Sequence, residues 1–89
     1  MMKLIIAIVH HTDGDEILRA LTEAQFSVTR IASSGGFLRR GNATLLIGLQ
    51  AAQVPLAVQL IREHTGPAVD PGLKRATVFV LNVERFEQV

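Results

Sequence analysis

The chain has no cysteine, no tryptophan and no tyrosine, and only three prolines in 89 residues. Without cysteine there are no disulfides, no thiolate nucleophile and no thiolate metal ligand, and the redox compartment is left open. The aromatic content is four phenylalanines. None falls in "KLIIAIV" or "ATLLIGL", the two most strand-like runs of the first half, so a sheet built on them offers no stacking platform for RNA. An excess of one charge is missing too: nine Lys and Arg against eight Asp and Glu, net +1. General attraction to a nucleic acid polymer or an anionic membrane is therefore not expected, and any anion site has to come from local clustering. The longest early apolar run, 4–9, has six residues. That is shorter than the apolar core of a signal peptide and far short of a membrane span, so a cytoplasmic protein without membrane insertion is the expectation. No His-x-x-x-His occurs, and the adjacent His10 and His11 at a strand end point in opposite directions, so no metal site is expected. Nor is there a Ser-His-Asp arrangement or an isolated carboxylate pair, and "HHTDGD" after the first strand sets two aspartates where a phosphate cradle would need donors. An enzyme is not expected.

What the chain does have is apolar residues, 48% against 19% charged, which argues for a packed domain rather than disorder. A chain of this length fits one domain, taken as 1–89, with a modest core. "KLIIAIV" at 3–9 reads as a strand buried on both faces. Asp13, with Glu16 three residues on, resembles a capping box, and Ile17, Leu21 and Ala24 share one side of the helix that follows. Strands are predicted over 27–33 and 43–49. Pro55 suits the first turn of a second helix with Val54, Ala57, Val58 and Ile61 as its apolar stripe, stopped at Gly66-Pro67. A fourth strand covers 76–83. The order βαββαβ is the ferredoxin-like α+β pattern. Right-handed crossovers then give a four-stranded antiparallel sheet, order 4-1-3-2, with both helices on one face. Two helices cover one face only, yet Leu4, Ile6 and Ile8 are as apolar as Ile5, Ala7 and Val9, and Phe79, Leu81 and Val83 as apolar as Val78 and Val80. A bare face of that kind exceeds what soluble monomers show, so an oligomer is expected.

Between the second and third strands stands "SSGGFLRRG", 33–41, too long and too rich in glycine for a plain hairpin turn. Gly35-Gly36 lets a ligand approach the main chain, whose N–H groups can form an anion nest. Arg39 and Arg40 follow, Arg30 precedes, and Phe37 offers a flat face for a base. Together they suggest a nucleotide. A long hairpin whose Phe37 packs on a neighbouring subunit fits the local residues equally well.

Three segments, "MKLIIAIV", "LTEAQFSVTRIASSGGFLRRGNATLLIG" and "ATVFVLNVERFEQ", resemble the PII-like cyclic-di-AMP receptor family. The most specific part runs from "VT" through "GGFLR" and "GN" to "T" and "G". The resemblance implies a homotrimer whose ferredoxin-like sheets face inward, with the small-molecule nucleotide cyclic-di-AMP bound between subunits. It implies no further cofactor, and leaves an unknown protein partner open. It places the ligand against Thr29, Gly36, Phe37, Leu38, Asn42, Gly48, Phe86 and Gln88, to which the loop's own Gly35 and Arg39 and the arginine-position residue Ser27 are added as candidate ligand contacts. Thr29 and Asn42 would donate to phosphate or base, Phe37 and Leu38 would flank an adenine, and Gln88 would read a base edge. The chain departs from the family pattern at Ser27, where receptors commonly carry Arg, and at Gln25, where they carry Asn. It departs again in the short connection at 65–75. A structural or interaction trimer that has lost or changed the nucleotide is the alternative.

Overall fold

The apolar run near the start of the chain forms an inner strand with a partner on each side. In the computed structural model, which describes residues 1–31, 41–66, 75–85 and 87–89, the chain runs β1 (Met2–His10), α1 (His11–Glu23), β2 (Ser27–Ile31) and β3 (Asn42–Gln50). A single 3-10 turn (Ala51–Gln53), α2 (Val54–Glu63) and β4 (Ala76–Asn82) complete it. The sheet is antiparallel with order β2-β3-β1-β4, the expected arrangement. Residues 32 and 33, expected to end the second strand, lie outside the described residues.

Register decides which apolar residues form the core. Ile5 pairs with Ile47 and Val80, and Ala7 with Leu45 and Val78, so these positions share one face. The helices close that face: Ile5, Ala7, Val9, Leu45 and Ile47 are fully buried together with Ile17 and Leu21 of α1 and Ala57 of α2, and Ile61 nearly so. At about 1.5–3 kcal/mol per large apolar side chain, this layer is the main stabilising element. Ile6, Leu46 and Phe79 lie across from one another on the opposite face. No helix covers that face among the described residues. Phe79 is 49% exposed and Leu81 46%, and on the edge strand β4 Val80 of the helix side is also 45% exposed.

Helix α1 begins and ends differently from its sequence reading. Its capping residue is His10, whose ring Nδ1 accepts from the Thr12 N–H at 3.3 Å, and not Asp13. Asp13 lies within the first turn and is buried. Its carboxylate accepts from Arg75 Nε at 3.1 Å, Arg75 Nη2 at 3.3 Å and the Gly66 N–H at 3.2 Å. A two-point, poorly solvated guanidinium contact outweighs one cap hydrogen bond, which draws Asp13 toward β4 and leaves the cap to the residue before the helix. At the other end Gln25 has φ +69, with Gln25 N–H to Thr22 O at 2.9 Å and Phe26 N–H to Leu21 O at 3.0 Å. This is a Schellman closure with glutamine at the left-handed position, where glycine or asparagine is favoured.

Removing the carboxylate takes the ion-pair partner from a shielded guanidinium, so Asp13→Ala is expected to lower stability by roughly 2–4 kcal/mol. In a double-mutant cycle with Arg75→Ala, denaturant unfolding should show coupling above about 1 kcal/mol, whereas a capping role would give none.

Candidate functional site

At one end of the uncovered face, where β1 and β2 begin and β3 and β4 finish, lies a groove of about 570 Å³. Ser27 and Thr29 of β2, Leu46 and Gly48 of β3, and Met2, Lys3 and Leu4 of β1 line it, joined by Val83 and Gln88 beyond β4. Pairing explains the shape. Gly48 sits between Ser27 on one side and Leu4 on the other, so a row of side chains is interrupted by a residue that has none. Among the described residues, a Cβ built on Gly48 would meet the Met2 Cε at 3.8 Å, an ordinary van der Waals contact, so the gap is not a tight backbone approach. The Val83 N–H to Met2 O bond, 3.1 Å, holds the end of β4 to the start of β1 and fixes the groove wall.

Chemically the groove combines an apolar floor from Met2, Leu4, Leu46 and Val83 with two hydroxyls and one carboxamide. That mixture suits a flat heteroaromatic group read at its polar edge. Lys3 carries the one charge among these lining residues, and its Nζ donates to Asn82 Oδ1. Its pairing with Leu49 and Asn82 places it on the helix side of the sheet. Arg30, considered from sequence as an anion ligand, pairs with Leu45 on the helix side and bonds Asp15 of α1, so it faces away from the groove.

The other end of the same face is the root of the 33–41 segment. Gly41 has φ +87, a left-handed value that favours glycine, and Asn42 follows opposite His10. The backbone N–H and ring Nδ1 of His11 both donate to Gly41 O, at 2.7 and 2.8 Å. Between root and groove, Thr44 is buried and its Oγ1 has no hydrogen-bond partner among the described residues. Asn42 and Gly48 share one face of β3 but stand six residues apart, roughly 20 Å along the strand.

Of the candidate ligand contacts, the structure brings Ser27, Thr29, Gly48 and Gln88 together on the groove, with Asn42 further along the same face. Gly35, Gly36, Phe37, Leu38, Arg39 and Phe86 lie outside the described residues. Sequence reasoning missed Met2, Leu4, Leu46 and Val83 as lining. Strand parity could have found Leu46, two residues from Gly48, but Met2 and Leu4 need the β1–β3 register. Among the described residues no three His, Asp or Glu side chains gather in a way that could hold a metal ion, and no helix is long and apolar enough to cross a membrane.

Filling the gap tests the groove. Gly48→Ala should fold with stability within about 1 kcal/mol of wild type, since strand glycine has little intrinsic advantage. Gly48→Val should fold as well but occlude the hollow. A stability measurement paired with ligand titration separates the two effects.

Residues 2–68 match the family described as cyclic-di-AMP receptor. The match spans β1 to the end of α2 and includes Ser27, Thr29, Asn42 and Gly48, but neither Val83 nor Gln88. Among solved structures, the chain is similar to a functionally unknown protein from Pediococcus pentosaceus ATCC 25745, at 30% identity and TM-score 0.79, covering 99% of this chain and 97% of that one. It is also similar to a DUF3240 family protein from Shewanella baltica OS155, at 16% identity and TM-score 0.67, covering 99% and 96%. At that identity the second likeness shows the fold alone.

Proposed function

The chain belongs to the cyclic-di-AMP receptor family, and from that we propose that it binds cyclic-di-AMP in the groove at the end of the uncovered sheet face, at the boundary between copies of a homotrimer. One observation supports this reading above the others: Ser27, Thr29, Gly48 and Gln88, drawn from three separate parts of the chain, line a single groove. In this reading an adenine lies on Leu46 and the Gly48 gap, Thr29 and Ser27 donate to phosphate or base, and Gln88 reads a base edge. Phe37 and Leu38 supply the opposing stack, and Asn42 anchors the return of the loop. The protein is a signal-transducing binder and not a catalyst, acting in the cytoplasm through a protein partner.

Trimer formation follows from the same face. Ile6, Leu46, Phe79 and Leu81 form an apolar surface that favours burial, and in a closed threefold ring neighbouring copies would cover it. Ser27 contributes no charge, so the affinity falls below that of a site with an arginine there. The missing charge-assisted contact corresponds to ~1.5–3 kcal/mol.

Calorimetric titration with cyclic-di-AMP, cyclic-di-GMP, ATP and AMP tests the reading. Cyclic-di-AMP should bind, Phe37→Ala should lose most of the binding through a stacking surface worth ~1–3 kcal/mol, and Ser27→Arg should tighten it. Failure of all four nucleotides at high micromolar concentration would favour the structural trimer. Sedimentation at micromolar concentration should report three chains, and Phe79→Asp should dissociate or unfold them. A monomeric wild type would contradict the assembly.

A further inference from the structure

Two histidines that have no part in the nucleotide reading hold the root of the 33–41 segment. His11 fixes Gly41 O through both its backbone N–H and ring Nδ1, at 2.7 and 2.8 Å, so that ring nitrogen carries a proton. His10 is in the opposite condition. Its Nδ1 accepts from the Thr12 N–H at 3.3 Å and lies 2.7 Å from Thr12 Oγ1. A backbone N–H can only donate, so in this cap His10 Nδ1 is the acceptor. The two rings stack, with centroids 4.7 Å apart and planes 29° from parallel. Thr12 Oγ1 in turn accepts from Arg75 Nη2 at 3.0 Å.

The titratable and charged groups around His10, among the described residues, are His11 and Asp13 from α1 and Arg75 ahead of β4, while β3 presents the neutral Asn42. Asp13 is occupied by Arg75 and Gly66. A proton on His10 Nδ1 removes the acceptor that caps α1. It also sets a positive charge at the positive end of the helix dipole, against the His11 ring and near Arg75. Protonation and the observed cap exclude each other.

We propose that His10 and His11 form a proton-sensitive positioning pair. Neutral His10 holds the first turn of α1, which lets His11 pin Gly41 and so set Asn42, and acidification releases the pin and weakens nucleotide binding. The inference rests on the nucleotide reading for its consequence, but not for the pair itself.

The test titrates cyclic-di-AMP into wild type and His10→Asn at about pH 7.5 and about pH 5.5, the interval in which an imidazole ordinarily charges. The phosphodiesters stay anionic throughout. Wild-type affinity should fall about five- to tenfold on acidification. His10→Asn should change less than about twofold, because its amide caps the helix without titrating. Equal pH dependence in both proteins, or a wild type that binds with none, overturns the proposal. A second readout needs no nucleotide: hydrogen-exchange protection of the Thr12 and His11 amides, corrected for intrinsic rate. It should drop at the lower pH in wild type and persist in His10→Asn. Unchanged wild-type protection overturns the pair whether or not nucleotide binds. Lost protection without any nucleotide binding keeps the pair and discards the nucleotide reading.

Discussion

Two helices can cover only one face of a four-stranded sheet, and nearly everything else about this chain follows from that limit. The covered face takes Ile5, Ala7, Val9, Leu45 and Ile47 out of water completely. The other face is almost as apolar along β1 and β4, where one would expect polar alternation in a monomer. Its center wants a second apolar surface. Its margin, where Gly48 interrupts the row of side chains, opens into a groove. The proposed assembly seam and the proposed ligand groove at its edge would thus both be consequences of one uncovered surface.

The polar chemistry is arranged around that surface in a way that divides charge from recognition. Arg30 with Asp15, Arg75 with Asp13 and Lys3 with Asn82 are all tied on the helix side or at the helix start. The groove keeps Ser27, Thr29 and Gln88, which are neutral. In the proposed reading, the described part of the groove would recognise its ligand by shape, stacking and directional hydrogen bonds. The Asp13–Arg75 pair does its work at a distance from the groove. It ties the start of α1 to the residue that leads into β4, the strand that precedes Val83 and Gln88 in the chain.

Much of the fold was legible because it is written in short-range signals. The apolar run at 3–9, Pro55 in the first turn of α2 and the βαββαβ order suffice for the strand order, and two-residue alternation sorts the strand residues into two faces, but both are apolar, so the face that the helices cover was not legible. The resemblance carried Ser27, Thr29, Gly48 and Gln88, which spacing alone would not have joined. What escaped the sequence was long-range. Asp13 looks like a cap because Glu16 follows it, and its true partner is Arg75, sixty-two residues on. His10 is an uncommon capping residue and carries no local signature. Gln25 gives no hint of its positive φ, although the asparagine usual at that place in the resembled family suits the same backbone. Met2 and Leu4 enter the groove only through pairing with β3.

The account stands or falls on the groove being the nucleotide site. Backbone amide chemical shifts, followed by NMR as cyclic-di-AMP is added, test this residue by residue. The account predicts shifts at Ser27, Thr29, Leu46, Gly48 and Gln88, with Ile5, Ile17 and Ile61 on the helix-covered face unmoved. Shifts centred instead on the 370 Å³ hollow between α2 and β4, at Val58, Ile61 and Val78, with the groove residues still, would contradict it.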